Sequence, residues 1–270
     1  MRLVTARMAL LSGIWCVHGC TLKDGGADTS ASPALQPDRA ASAAASGASG
    51  EGNVDVQTLA GLRVGFVGGT FASGEEELST LITNQTGVAP TRIHTAASAA
   101  ALSSDDLAAT DVLVLDDLAR VYTEAEAKLV ADWVSAGHGL IATAAFSADS
   151  SRVSNFAASY GVSYLPGIID AASPGTQVTA LAVPALTGGV SSLLFYGGFR
   201  LASTNVDAVA FAMSPPDALG LAITHGAGRV VIWGDDWILS DRELRRKDET
   251  GAQPTTVFWN NALHWVSQPD

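Results

Sequence analysis

The sequence predicts an α/β fold, a mostly parallel central sheet flanked by helices, with a β-rich middle portion. Three observations carry this. Apolar runs at 62–67, 111–116 and 139–144 are nearly continuous rather than alternating, as strands covered on both faces are. A helix with its own start signal lies between the second and third runs. The chain closes on an amphipathic segment, 256–266, with Val257, Phe258, Ala262, Leu263 and Trp265 on one stripe.

Taken in order, 62–67 reads as a first strand ending in Gly68-Gly69-Thr70. Glu75, Glu76 and Glu77 stand before Leu78, Leu81 and Ile82, an acidic first turn ahead of an apolar stripe, and Gly87 marks the helix exit. Arg92-Ile93-His94 is a short second strand, and Asp105-Asp106 opens a small helix or turn. In 111–116 an apolar run is bracketed by carboxylates. Thr123 then caps a helix with Glu126 three residues on, the capping-box spacing, and Gly137 ends it. Strand, helix and strand over 111–144 make one crossover unit. A helix follows at 150–160. The stretch 161–220 is punctuated by Gly and Pro, with short strands at 177–182, 192–196 and 208–213. Strands at 219–224 and 229–233 then flank a His225-Gly226-Ala227-Gly228 turn.

Composition bounds the function. Lys+Arg is 15 against Asp+Glu 27, a net charge of -12, so the cation excess that nucleic acid requires is missing and no nucleic-acid partner is expected. The mean hydropathy of +0.24 is concentrated in buried strands and a short leader. Arg2 and Arg7 precede an apolar stretch, 8–17, about half of what crosses a bilayer. Gly19 followed by Cys20 resembles a bacterial lipoprotein signal. That resemblance implies a signal peptide at 1–19, lipidation at Cys20 and a membrane-anchored place in the bacterial cell envelope, facing periplasm or exterior; ordinary secretion is the alternative. Residues 20–57, rich in Ala, Ser and Gly, read as a tether, and 58–268 as a single domain.

The body resembles the class I glutamine amidotransferase-like superfamily, in particular its ThuA-like and other non-amidotransferase branches. The likeness rests on 63–70, 111–117, the 123–136 helix, Gly137-His138-Gly139-Leu140-Ile141-Ala142, and 228–237. It implies a flavodoxin-like arrangement of the sheet. In the catalytic members a Cys follows the strand that corresponds to 140–143; here the chain reads Ala144-Ala145-Phe146-Ser147. Both cysteines, Cys16 and Cys20, lie in the leader, so the thiolate that glutamine hydrolysis needs is missing from the body.

Four groups of residues are candidates for chemistry. The Gly68-Gly69-Thr70 amides suit an anion at a strand end, although the spacing from Gly65 is not a dinucleotide fingerprint and no cofactor is expected. Asp116-Asp117 and Asp235-Asp236 each follow an apolar strand, where open α/β sheets place their crevice. If they meet, they suit acid–base work. No metal is expected, Asp235 and Asp236 being the candidates if one binds. Trp237 suits stacking on a ligand, and Ser147 stands nearest the missing nucleophile without a Gly-x-Ser-x-Gly elbow. His94, His138, His225 and His264 lack metal-ligand spacing, and the mixed charge run 241–249 reads as a solvated segment or a crevice-rim lid. The resulting expectation is an envelope-anchored lipoprotein whose catalytically degenerate domain binds a small molecule or an envelope protein. The alternatives are a hydrolase, of carbohydrate among other substrates, with an Asp-lined crevice, and a structural envelope protein.

Overall fold

The first half of the chain alternates strand and helix as the apolar runs predict: β1 (Val64–Val67), α1 (Glu76–Thr86), β2 (Thr91–His94), α2 (Ser104–Ala108), β3 (Val112–Leu115), α3 (Glu124–Ser135), β4 (Gly139–Ala142) and α4 (Ser151–Ala158). This is a computed structural model that describes residues 58–69, 74–95, 98–144, 150–169 and 175–268. The leader, Cys20, the tether, Thr70 and Ser147 lie outside the described residues. No described helix is long and apolar enough to cross a membrane.

The second half is β-rich: β5 (Val162–Ile169), β6 (Thr176–Val178), β7 (Ala180–Leu181), α5 (Pro184–Thr187), β8 (Leu193–Phe195), β9 (Gly198–Ser203), β10 (Val209–Ser214), β11 (Asp217–His225) and β12 (Gly228–Trp233). A 3-10 turn at Trp237–Leu239, then α6 (Asp241–Arg245) and α7 (Pro254–Val266), complete it. Strands run in the order β2-β1-β3-β4-β12-β11-β10-β7, with β9 and β5 branching from β11. The pairs from β2 to β12 are parallel; every pair beyond β12 is antiparallel. The sheet is therefore mixed, and the expected mostly parallel sheet is corrected to a parallel half joined to an antiparallel half at β12. The reason is local: β10, β11 and β12 are joined by tight turns, and tight turns make antiparallel neighbours. The expected 177–182 strand is divided between two sheets, β6 pairing β8 and β7 pairing β10.

Alternation along each strand builds two cores. In β3, Val112 and Val114 face one side with Leu78 and Ile82 of α1 and Phe258 and Leu263 of α7. Leu113 and Leu115 face the other with Leu107 of α2, Val130 and Val134 of α3, and Phe156 of α4. All four β3 residues are fully buried, which is why the run is continuously apolar.

The α3 start is the best-defined local interaction. Thr123 Oγ1 accepts from Glu126 N, and Glu126 returns a bond to Thr123 N at 2.9 Å. Glu126 also accepts from Leu102 N at 2.8 Å and from Arg120 at 2.6 and 3.1 Å, while the Arg120 guanidinium lies 3.8 Å over the Tyr122 ring. The Arg120 hydrogen bonds hold the carboxyl down to about 2, so this stabilisation is complete above about pH 4.5 and is lost as pH falls towards 2. We expect Glu126→Ala to cost about 2–3 kcal/mol in urea unfolding at pH 7, because it removes a cap and leaves buried donors unpaired. A loss below about 0.5 kcal/mol would contradict that account.

Candidate functional site

Because β1, β3, β4 and β12 are parallel neighbours, the segments after them emerge along one edge of the sheet. These are Gly68-Gly69, Asp116-Asp117, Thr143-Ala144 and Gly234-Asp235-Asp236. The β3 and β12 backbones are separated by β4 alone, about 10 Å at two strand spacings, so side chains can meet across Thr143.

Asp116 is fully buried. Its Oδ1 accepts from Thr143 Oγ1 at 2.8 Å, and its buried Oδ2 has no hydrogen-bond partner among the described residues. Burial pushes this carboxyl well above the usual carboxylate range, and repulsion from Asp236, then from Glu75 and Asp117, pushes it further. Asp116 and Asp236, one from each of the two pairs marked in the sequence, are thus near enough to repel each other.

Their sequence neighbours play other parts. Asp235, also fully buried, accepts from Tyr196 N at 2.5 Å and from Trp237 N at 2.9 Å, one bond to each oxygen. It clasps the loop after β8 to the turn after β12. Burial drives its carboxyl up to about 7 although hydrogen bonds from the Trp237, Tyr196 and Asp236 amides and with the Asp236 side chain pull downward. The clasp sets Trp237 edge-to-face on Tyr196, centroids 5.0 Å apart, both rings half-buried. Asp117 is half-buried with a φ of +38°, and its carbonyl accepts from Gly69 N at 3.0 Å.

The Gly68-Gly69 amides are engaged within the sheet edge. Gly68 N donates to His94 O at 2.9 Å and Gly69 N to Asp117 O. Their carbonyls accept from Arg92 at 2.9 and 2.6 Å, and Arg92 pairs with Glu75. Gly68 has a φ of +120°, and a Cβ there would collide with the Asp116 carbonyl oxygen.

The remaining candidates lie apart. His94 Nε2 is 3.6 Å from Asp106 Oδ2, His138 stacks on Trp133 at 4.4 Å, and His225 meets the edge of Tyr160 at 5.0 Å. Among the described residues no three His, Cys, Asp or Glu side chains are placed to hold a metal ion. The charge run is anchored: Asp241 Oδ1 accepts from Glu77 N at 2.8 Å, and Arg245 pairs with Glu77 at 2.7 Å, tying α6 to α1. Thr143 and Tyr196 carried no sequence signal of a site; each is positioned by a partner distant in the chain.

No family model matches the chain, and no curated protein matches its sequence. Solved structures share the fold. The N-terminal domain of mmIFT52 superposes with a TM-score of 0.59 at 13% identity, covering 77% of this chain and 98% of that one. A cytoplasmic protein of Salmonella typhimurium LT2, STM1381, gives 0.56 at 17% identity, covering 76% and 99%. A second cytoplasmic protein from Salmonella typhimurium, STM3548, gives 0.53 at 16% identity, covering 77% and 100%. ThuA-like proteins from Bacteroides uniformis and Parabacteroides merdae also match, at TM-scores of 0.42 and 0.45. The likeness to the first three structures holds for the fold alone. The expected envelope-anchored lipoprotein, with its membrane and envelope location and its role as an anchored binding module, is corrected here. Two of these fold relatives are described as cytoplasmic, so the shared fold does not carry an envelope address.

Raised carboxyl pKa values have a stability consequence. A carboxyl that binds its proton more tightly when folded stabilises the fold fully below its unfolded value, near 3.8, and progressively less as pH rises through its folded value. Asp235 therefore makes stability fall between about pH 4 and pH 7, and Asp116 makes it fall as pH rises above about 4. Asp116→Asn is expected to raise Tm more at pH 8 than at pH 4, read by thermal unfolding at both. An equal change at the two pH values would show that Asp116 bears no buried-charge penalty.

Proposed function

We propose that this chain is a hydrolase working by acid–base chemistry through Asp116 and Asp236, in an Asp-lined crevice at the C-terminal edge of the parallel strands. The observation that supports it most is the mutual repulsion of two buried carboxyls from different strand ends, one of them with an oxygen that has no hydrogen-bond partner among the described residues. Open α/β sheets bind ligands at this edge. A carboxyl that burial and a neighbouring carboxylate drive upward, as at Asp116, is the kind that exchanges protons in catalysis.

The division of labour follows from the electrostatics. Two close carboxylates out of water do not both ionise easily, so the pair holds a proton. The protonated member donates that proton to the leaving oxygen of the scissile bond. The ionised member takes a proton from the attacking water, whose oxygen bonds to the electrophilic centre. One water is consumed, one bond to the leaving oxygen breaks, and the pair again holds a single proton. Thr143 orients Asp116 through its hydroxyl, and Asp235 positions the Tyr196–Trp237 wall without touching substrate. A neutral, hydroxyl-rich substrate, carbohydrate being the first class to test, fits a chain of net charge -12. Hydroxyls donate to carboxylates, whereas anions are repelled.

The test uses the full chain on nitrophenyl glycosides and nitrophenyl esters. Asp116→Asn and Asp236→Asn are each expected to lower kcat by about 10²–10⁴-fold while circular dichroism shows an intact fold. No hydrolysis of any substrate by the unmodified chain, or unchanged kcat in both variants, would overturn the proposal.

A further inference from the structure

A cavity of about 450 Å³ opens beside β1 and β2. Arg63 leads into β1, Val64 begins it, Thr91, Arg92 and Ile93 belong to β2, and Ala109 and Thr110 lead into β3. The lining runs along β2 as far as Ile93, and the Arg92 guanidinium reaches from it to the Gly68 and Gly69 carbonyls. Neither Asp116 nor Asp236 belongs to the lining.

Its origin is written in small residues and an irregular strand. The β1–β2 register shifts between Phe66 and Val67, so Ile93 is passed over between Arg92 and His94. Ile93 then packs over the strand on the α2 side, where a Cβ at residue 65 would lie 2.6 Å from its Cδ1 and 3.0 Å from Thr110. Gly65 is required for that approach. Beside it Ala89 and Ala109 are too short to fill the space, and β2 is the outermost strand of the sheet.

The lining also narrows what can enter. Val88, Ala89, Ile93 and Ala109 supply apolar wall, and Thr110, only 4% exposed, brings a hydroxyl. The charges at the rim are already matched. Arg63 is bidentate to Asp111 at 2.6 and 3.0 Å, and Asp106 accepts from Ser103 Oγ at 2.6 Å and Ser103 N at 2.8 Å. A charged ligand would shed its water for apolar wall and neutralised partners, which is unfavourable. An apolar body with one polar group loses little and gains the wall, and the volume falls in the range of small-molecule sites.

We infer that this cavity is a binding site for a neutral, mainly apolar, ring-sized molecule carrying one hydroxyl or carbonyl group. It is independent of the hydrolase reading and stands whether or not the acid pair is catalytic.

The test is a titration of the full chain, isoleucine methyl-labelled, with benzyl alcohol, followed by NMR. The Ile93 δ1 methyl is expected to shift saturably while that of Ile238, buried in the other core, stays in place. Ala109→Leu should weaken binding at least tenfold by occupying the space, and Thr110→Val, which keeps the shape and removes the hydroxyl, about three- to tenfold. Benzoate and benzylamine should bind at least tenfold more weakly than the alcohol. A motionless Ile93 methyl in the unmodified chain would overturn the inference. So would a Thr110→Val titration matching the unmodified chain, which decides the matter if Ala109→Leu does not fold, or equal binding of the charged analogues.

Discussion

The Asp116 carbonyl oxygen occupies the space where a side chain on residue 68 would stand. This backbone-to-backbone approach is the constraint on which the sheet edge depends. It folds the turn after β1 over the end of β3, so that Asp116 N meets Val67 O and Gly69 N meets Asp117 O. The turn's carbonyls are then left to Arg92, which in turn holds Glu75 at the start of α1. Without a glycine at 68 the lattice of short bonds could not close, and Asp116 would not be held in its buried setting. A larger residue there would displace backbone, not a pliable side chain tip, and such strain has no cheap relief.

The same edge shows why stability and chemistry pull apart. Three carboxyl-bearing residues, Asp116, Asp235 and Asp236, are buried there, a costly arrangement for charge. Asp235 offsets its cost with two backbone amides and does structural work in return. Asp116 has one hydroxyl partner, and among the described residues its other oxygen has none, so its cost is less offset there. Poorly compensated buried groups are uncommon in native proteins and concentrate where a ligand or a reaction uses them.

Much of the fold could be read from the chain. The β3–α3–β4 unit announces itself through a continuous apolar run and a capping box, both of which depend on neighbours within a few residues. β5 could not be read, because Pro166 and Gly167 look like breakers. The sheet tolerates them through a register shift between Tyr164 and Ile168 against β9. The antiparallel pairs β10–β11 and β11–β12 follow from tight turns, whereas the parallel pairing of β12 with β4, remote in sequence, was hidden. For the site, the two Asp pairs stood out by their place after apolar strands. Which member of each pair would be used did not, because that depends on whether an amide such as Tyr196 N, 39 residues away, reaches the carboxylate.

The pairing of β12 with β4 joins residues 228–233 to 139–142. Some 90 residues of chain are made between those partners, and a loop of that size closes slowly compared with the local β3–α3–β4 unit. During synthesis, therefore, Asp116, Asp117 and Glu75 are made well before Asp236. The acid pair comes into existence only when the last quarter of the chain arrives and docks. A chain ending before β12 would lose Asp236 together with Phe258 and Leu263 of α7, which cover Val112 and Val114 of β3, so this edge and one of the two cores are completed by the same late segment.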